Sequence, residues 1–159
     1  MKTYLLLFFL FPLFVCSQSN SLNFGTNNTL DVVTWNLEWF PKNGNITIDS
    51  LKSIIEKIDA DVYALQEIDN IGSFNMLKNQ LSGYNGLLKN TSNLNLAFLY
   101  KNSITVDSAY SILNDYDYVF AGRTPFVIDL NYNGMNISLF NNHFKCCGDG
   151  TLNTGDSSD

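Results

Sequence analysis

Positive charge is scarce in this sequence. Nine Lys and Arg residues stand against 15 Asp and Glu residues, Arg123 is the single arginine, and the formal net charge is −6. A protein that binds nucleic acid by neutralising its phosphates needs a basic stripe or patch, and the sequence contains no such run. The composition therefore excludes an electrostatic clamp on nucleic acid. It leaves phosphate chemistry open, because a divalent cation can supply positive charge at a reacting group.

Charged residues of both signs are few. They make up 15% of the chain, whereas hydrophobic residues make up 45% and aromatic residues 14%. Disordered chains show the opposite balance, so the composition excludes disorder. A chain of 159 residues has room for one domain and not for two. We expect one globular domain that is rich in β-structure or of mixed α/β type.

The sequence has only one long hydrophobic run, and this run lies at its start. Lys2 precedes a continuous apolar stretch from Tyr4 to Val15, and the chain turns polar from Ser17 onward. A membrane-spanning helix needs about 20 apolar residues, so the run is too short to span a bilayer. Its order of basic start, apolar centre and small polar residues is typical of a secretory signal.

The domain boundaries follow from this start. We predict a signal peptide over residues 1–17, a linker over residues 18–30, and no transmembrane segment once the signal has been cleaved. The product is then expected outside the cell or in a periplasm. Cleavage before Cys16 with lipid attachment is the alternative, and the bulky Val15 just before it makes simple secretion the favoured interpretation.

Cysteine is also rare. One of the three cysteines is Cys16, and the other two, Cys146 and Cys147, are adjacent. A bond between neighbouring cysteines has poor disulfide geometry. A metal site made of His143, Cys146, Cys147 and Asp149 is the sharper alternative, but its spacing corresponds to no zinc pattern.

Apolar spacing predicts the first elements of the domain. From Asp31 to Phe40 apolar and polar residues alternate, which is typical of a strand. One face of this strand is expected to carry Val33, Trp35, Leu37 and Trp39. Isoleucine and leucine residues then recur at helical spacing and predict an amphipathic helix from Asp49 to Asp59.

The remaining elements complete a mixed pattern. We expect a buried strand at Val62–Leu65, a helix at Ser73–Leu81, and strands at Leu87–Leu88, Leu96–Tyr100, Ile104–Ile112, Tyr118–Phe120, Phe126–Leu130 and Ile137–His143. The order β-α-β-α followed by a series of strands favours a mixed sheet with helices packed outside it, which is the α/β or α+β class.

Four polar residues lie in strands or just beyond strand ends, where a sheet edge can gather side chains around one ligand. Asn36 lies in the first strand, Glu67 directly follows a buried strand, Arg123 precedes another, and His143, the single histidine, ends the last. Each residue alone has an ordinary structural explanation, such as a surface ion pair or a buried hydrogen bond. The combination of all four is what indicates a site.

These positions belong to five short motifs: T-W-N-L-E at 34–38, A-L-Q-E-I-D at 64–69, F-L-Y-K at 98–101, R-T-P-F at 123–126 and N-N-H-F-K at 141–145. Their order and spacing resemble the endonuclease/exonuclease/phosphatase superfamily, in its deoxyribonuclease I-like form, over roughly residues 31–145. The resemblance implies a four-layer α/β sandwich of two packed mixed sheets flanked by helices. It also implies that residues 31–159 are the N-terminal portion of such a domain.

The resemblance implies a role for each of the four residues. Glu67 would be the carboxylate that holds Mg²⁺ or Mn²⁺, and Asn36 would lie beside that metal and orient its ligands. Arg123 would contact the phosphate of the substrate, since a guanidinium can pair two oxygens at once. His143 would assist at the scissile phosphate, where a group of near-neutral pKa suits proton transfer. Asn36, Arg123 and His143 are therefore the expected catalytic residues, and Glu67 and Asn36 the expected metal ligands.

The sequence also departs from the family pattern. The family's later Asp-x-Asn and Ser-Asp-His motifs have no counterpart before Asp159, and no carboxylate that could orient His143 is visible near Asn93 to Leu96. The catalytic site is therefore expected to be incomplete, and the 159 residues alone to have little or no activity.

The resemblance favours a secreted, metal-dependent nuclease that acts on a phosphodiester in nucleic acid, with no stable protein partner. Two alternatives stay open. The same fold can serve a phospholipid or sugar-phosphate substrate, and a secreted binding module could keep the fold without the chemistry.

Overall fold

The structure is a computed structural model that describes residues 25–26, 28–91 and 94–144. The expected signal peptide, the Cys146–Cys147 pair and Asp149 lie outside these residues, so His143 is the one described member of the suggested metal grouping. The strands are β1 (Val32–Phe40), β2 (Val62–Ile68), β3 (Tyr84–Lys89), β4 (Asn95–Lys101), β5 (Thr105–Ser111), β6 (Phe126–Tyr132) and β7 (Met135–Asn141). The helices are α1 (Asn45–Ile58) and α2 (Ile71–Gln80), and a short 3₁₀ turn spans Asn114–Tyr116.

Two sheets form the centre of the domain. The first, which we call the mixed sheet, has the order β1-β2-β4-β3. Its β1 and β2 are parallel and joined through α1, whereas its other pairs are antiparallel. The second, the antiparallel sheet, has the order β5-β6-β7. With the two helices, these sheets form an α/β sandwich, which confirms the predicted fold class.

Each face of the mixed sheet covers one hydrophobic core. The helix-side core joins Ile48, Leu51 and Ile55 of α1 and Phe74 and Leu77 of α2 to side chains of the mixed sheet such as Tyr63, Leu65 and Leu99. The inter-sheet core joins Val62, Ala64, Leu96 and Phe98 of the mixed sheet to Phe126, Ile128 and Leu130 of β6. Strand residues alternate between the two cores because successive side chains point to opposite faces. Burial of each large apolar side chain stabilises the fold by about 1.5–3 kcal/mol.

Local capping explains where the helices begin and end. Helix α1 begins at Asn45, four residues before the predicted start at Asp49, after Gly44 at a φ of 58°. The backbone N–H of Asn43 donates to Oγ1 of Thr47 and orders this first turn. Helix α1 ends at the left-handed Asp59, whose N–H donates to the carbonyl of Ile55. Neither α1 nor α2 is long and apolar enough to cross a bilayer, and the described part of the chain has no other helix that is.

One predicted strand is absent. Residues Tyr118–Phe120, expected as a strand, form turns instead. The N–H of Val119 donates to the carbonyl of Tyr116, and the N–H of Ala121 donates to that of Tyr118. These local bonds satisfy the backbone without a partner strand, so the apolar residues that suggested a strand lie on a largely exposed loop.

The predicted face of β1 is wrong at its end. Trp39 was expected beside Val33 and Leu37, but 55% of its surface is exposed, and Phe40 is fully buried in the helix-side core instead. The pairing with β2 explains the change, because it runs regularly to Asn36 and resumes only at Phe40. In between, Glu38 and Trp39 leave the extended conformation for left-handed backbone, and the alternation of β1 moves by one position.

Candidate active site

Irregular backbone at the ends of β1 and β2 creates the site. Three residues of β1, Leu37 to Trp39, stand opposite the single residue Glu67 of β2. Glu38, Trp39 and Glu67 all have left-handed backbone, with φ values of 47°, 62° and 61°. Such conformations are costly for residues other than glycine and tend to cluster at functional sites. Because Ile68 resumes packing in the helix-side core, Glu67 lies outside the regular alternation of β2.

Hydrogen bonds fix the carboxylate of Glu67 on both of its oxygens. Nδ2 of Asn36 donates to Oε1 at 2.9 Å, and the backbone N–H of Trp39 donates to Oε2 at 3.2 Å. The amide of Asn36 is itself oriented, because its Oδ1 accepts from the N–H of Glu38 at 2.9 Å. The bulge in β1 therefore supplies the backbone donors that hold Asn36 and Glu67 together.

His143 approaches the same carboxylate from the other sheet. Its Nε2 lies 3.3 Å from Oε1 of Glu67, and only 16% of its side chain is exposed. Burial lowers the pKa of His143 below its usual value, the charge of Arg123 lowers it further, and Glu67 opposes both. The imidazole is therefore neutral near pH 7 and able to accept a proton. Its buried Nδ1 has no hydrogen-bond partner among the described residues.

Arg123 lies close enough to act on the imidazole electrostatically, and it is 7% exposed. Its buried Nε has no hydrogen-bond partner in the part of the chain that the structure describes. A buried donor without a partner is unfavourable unless an ordered water or an anion binds to it, and a phosphate group is one such anion. The structure thus brings Asn36, Glu67 and His143 into contact and Arg123 next to them. Their individual roles stay predictions.

Lys89 stabilises the segment that carries Arg123, and no sequence motif indicated this role. Its Nζ, at the end of β3, donates to the carbonyl of Thr124 at 2.6 Å and also contacts the hydroxyl of Thr124. Oγ1 of Thr124 in turn lies 3.2 Å from Oδ1 of Asn114. Burial lowers the pKa of Lys89, and nearby Asp117 partly offsets this effect. Only the tertiary structure brings Lys89 to a residue 35 positions away.

Two further residues lie inside the quoted motifs but were not predicted to belong to the site. Gln66 precedes Glu67, Asn141 lies two positions before His143, and both are buried. Nε2 of Gln66 donates to Oδ1 of Asn141 at 2.7 Å. The signal that could have found them is the presence of a strand amide within two positions of each of these expected site residues.

The donors present are suited to the hard divalent cation that the family implies. Mg²⁺ is commonly bound by one or two carboxylates, with waters and substrate phosphates completing its shell. Glu67 offers one fixed carboxylate and Asn36 an amide oxygen, and these two residues would hold the ion. The described residues contain no group of three or more His, Cys, Asp or Glu side chains that could form an all-protein site. The bound ion would supply positive charge at a phosphate and lower the pKa of a bound water.

The side chains themselves provide complementary chemistry. Arg123 can pair with two non-bridging phosphate oxygens. A neutral His143 donates its Nε2–H toward Oε1 of Glu67, so its Nδ1 is the nitrogen that can accept a proton, and Glu67 is in position to stabilise the imidazolium that results. Asn36 and the N–H of Trp39 restrict the movement of Glu67, which reduces the reorganisation that ligand binding requires.

Comparison with known proteins identifies the family. The family model described as "Endonuclease/Exonuclease/phosphatase family" matches residues 33–143, which is more than half of the chain. The chain belongs to this family. The resemblance found in the sequence motifs is therefore confirmed. A search among curated proteins gives no match.

Solved structures share the fold. TDP2 from D. rerio, solved with a single-strand DNA product, is 17% identical with a TM-score of 0.67, covering 76% of this chain and 48% of that one. Truncated TDP2 from Caenorhabditis elegans is 20% identical with a TM-score of 0.61, over 74% and 47%. An endonuclease/exonuclease/phosphatase family protein from Leptotrichia buccalis C-1013-b is 18% identical with a TM-score of 0.59, over 74% and 54%. The chain spans about half the length of these structures.

Proposed function

We propose that this chain carries the metal-binding and phosphate-binding half of a divalent-metal-dependent phosphodiester hydrolase, and that the hydrolase is a secreted nuclease. The observation that carries the proposal is the meeting of Glu67, Asn36 and His143 at one point between the sheets. Nδ2 of Asn36 and Nε2 of His143 both approach Oε1 of Glu67, at 2.9 Å and 3.3 Å. A carboxylate held this tightly beside a neutral imidazole is suited to hydrolysis of a phosphate ester.

The charge distribution supports the same conclusion. The chain is acidic overall, yet the buried Arg123 is placed next to the histidine with Nε unpaired among the described residues. One buried positive charge is thus available at the site although the chain as a whole is acidic. Recognition of one phosphate group, with help from a metal ion, needs no more than this.

Nucleic acid is the proposed substrate. The D. rerio TDP2 structure contains a single-strand DNA product, which shows that this fold accommodates a nucleic-acid chain in that protein. A phospholipid or sugar-phosphate ester is the second candidate, and the acidic net charge favours it slightly, because long nucleic acids repel acidic surfaces. A plasmid-nicking assay beside a sphingomyelin-hydrolysis assay would separate the two. Export through residues 1–17 is part of the proposal and is tested by locating the mature protein and its N-terminus.

Metal binding is the direct test. We expect Mn²⁺ to bind the chain and Glu67→Gln to weaken binding at least tenfold, which corresponds to about 1.4 kcal/mol. Glu56→Gln is the matched control, because Glu56 lies on α1, half-exposed and paired with Lys52, away from the site. A Mn²⁺ titration monitored by electron paramagnetic resonance measures the affinity of each variant. Equal affinities in the wild type and Glu67→Gln would reject the metal role.

Turnover is expected to be weak or absent in these 159 residues alone. The described part contains one histidine and one fixed carboxylate at the site, and one histidine cannot act as base and acid in a single turnover without help. A phosphodiester reporter assay in Mg²⁺ tests this. Fast hydrolysis that Glu67→Ala abolishes would show that the chain is sufficient by itself. With no turnover and no Mn²⁺ binding, the non-catalytic binding module becomes the better interpretation.

A further inference from the structure

A buried amide joins the two sheets directly behind the site. Asn141, the last residue of β7, is 1% exposed. Its Nδ2 donates to the carbonyl of Leu65 in β2 at 2.9 Å and to that of Ala97 in β4 at 3.0 Å. Its Oδ1 accepts from Gln66 at 2.7 Å. One side chain of the antiparallel sheet thus makes three hydrogen bonds to two strands of the mixed sheet.

The irregularity in β2 explains why these carbonyls are bonded by a side chain. The pairing of β2 with β4 is regular up to Leu65 opposite Ala97, shifts, and resumes at Ile68 opposite Asn95. A bulge interrupts the ladder of backbone hydrogen bonds and leaves groups that need other partners. Asn141 supplies donors to the two carbonyls at the edge of this interruption.

Gln66 completes the connection from the mixed sheet. The two N–H groups on its Nε2 are shared among three acceptors, Oδ1 of Asn141, the carbonyl of Ala64 at 3.0 Å and Oγ1 of Thr34 in β1 at 3.2 Å. The pair therefore links β1, β2, β4 and β7 through buried hydrogen bonds. Such bonds are directional, whereas the apolar contacts of the inter-sheet core resist separation of the sheets but only weakly resist sliding.

We propose that Gln66 and Asn141 are positioning residues that fix how the Glu67 side of the site meets the His143 side. The proposal rests on the proposed function. Glu67 follows Gln66 directly in β2, and His143 follows Asn141 by two residues. The 3.3 Å contact between Glu67 and His143 spans the two sheets, and the amide pair lies one or two residues from each of its ends. Without the pair, Glu67 and His143 each keep their local geometry, but the distance between them is no longer fixed.

The experiment uses Asn141→Leu, which removes the donors at nearly constant volume. Asn95→Leu is the matched control. Asn95 is also buried, and its Nδ2 also donates to a carbonyl near the bulge, that of Ile68 at 2.8 Å, but β4 and β2 belong to the same sheet. Gln66→Met is a milder second variant that removes only the Gln66 donors and leaves the amide of Asn141 on Leu65 and Ala97.

Two spectroscopic readouts separate positioning from stability. His143 is the single histidine, so its ring protons give one set of signals in the NMR spectrum. The nuclear Overhauser effect between this ring and the Glu67 side chain reports their contact without any metal. Broadening of the same ring signals by bound Mn²⁺ reports the separation between the imidazole and the ion. Thermal unfolding gives the stability of each variant.

We expect both Asn→Leu variants to melt at a lower temperature than the wild type. Only Asn141→Leu, and more weakly Gln66→Met, should lose the His143–Glu67 cross-peak and show weaker Mn²⁺ broadening of the ring, while the Mn²⁺ dissociation constant stays unchanged. If Asn141→Leu does not fold, Gln66→Met decides alone. A wild-type cross-peak in the folded variants, or the same loss in Asn95→Leu, would overturn the proposal. If the wild type binds no Mn²⁺, the proposed function fails, and the cross-peak still tests the positioning role.

Discussion

The first and last parts of the β1–β2 pair differ in backbone regularity and in what their side chains contact. From Val32 and Val62 onward the strands pair in regular register, and their apolar side chains alternate between two cores. Beyond Asn36 and Gln66 the register shifts, left-handed residues appear, and polar side chains bond to one another across the sheets. The regular ends stabilise the fold, and the irregular ends position chemical groups. If this division is correct, core substitutions in the regular region should lower stability without changing metal affinity, whereas substitutions at the site should change the binding of protons or metal.

The largest expected effect lies in the regular region. Phe98, fully buried and paired with Ala64 of β2, packs against the ring of Phe126 at 5.5 Å between centroids. Phe98→Ala should lower the free energy of unfolding by about 3–5 kcal/mol, because it removes apolar contact and leaves a cavity. Denaturant unfolding measures the loss. The Mn²⁺ affinity of the protein that remains folded should be that of the wild type, and a parallel loss of affinity would contradict the division.

In the site region, the expected effect is a change in how the stability of the protein depends on pH. The pKa of His143 is lowered in the folded protein, whereas an unfolded chain has the ordinary value of 6.5. The unfolded state therefore binds the proton first as the pH falls, so this residue destabilises the fold progressively from pH 6.5 down to its lowered pKa. Over that range the stability of His143→Gln should fall less steeply than that of the wild type, as measured by denaturant unfolding at each pH.

The neighbours of His143 sharpen this test. Arg123→Gln should raise the pKa of His143, because a repelling charge is removed, and Glu67→Gln should lower it further, because an attracting charge is removed. Arg123→Lys is the control that keeps the charge. Titration of the single imidazole by NMR follows all three variants. Shifts of the opposite sign would mean that these side chains do not meet in solution.

The smallest effect is expected from a surface pair close to the site. Lys42 and Glu38 form an ion pair of 2.6 Å, but both side chains are more than half exposed. Exposed pairs contribute about 0–1 kcal/mol and are screened by salt. Lys42→Met should therefore change neither the unfolding free energy by more than about 1 kcal/mol nor the affinity for Mn²⁺. A large gain of affinity would show that Glu38, freed from Lys42, takes part in the site together with Glu67.

The same division explains what the sequence could predict. Periodicity located both helices and most strands, because burial of one face imposes a repeat on the apolar residues. Motif resemblance located Asn36, Glu67, Arg123 and His143, which the structure brings together. Periodicity could not reveal the bulge in β1, because Trp39 and Phe40 are both apolar and either could have been the buried one.

The remaining site features depend on tertiary pairing. Gln66 meets Asn141 across 75 residues of sequence, and Lys89 meets Thr124 across 35. A single polar side chain carries no periodic signal, and its partner is decided by how the sheets stack. The turns near Tyr118 were missed for the opposite reason, since local hydrogen bonds outweighed an apolar pattern that resembled a strand.

The number of residues in the bulge of β1 matters for the site, because the excess over β2 places a backbone donor on Glu67. Three residues of β1 oppose one of β2, and the N–H of Trp39 reaches Glu67 only because of that excess. A deletion of two of the three residues Leu37 to Trp39 would restore a continuous ladder and at the same time remove a donor from the carboxylate. The left-handed turn at Asn133 and Gly134 also has a fixed length, but that length sets only the register between β6 and β7. A change of chain length should therefore alter strand pairing alone at the hairpin, and both strand pairing and the carboxylate at the bulge.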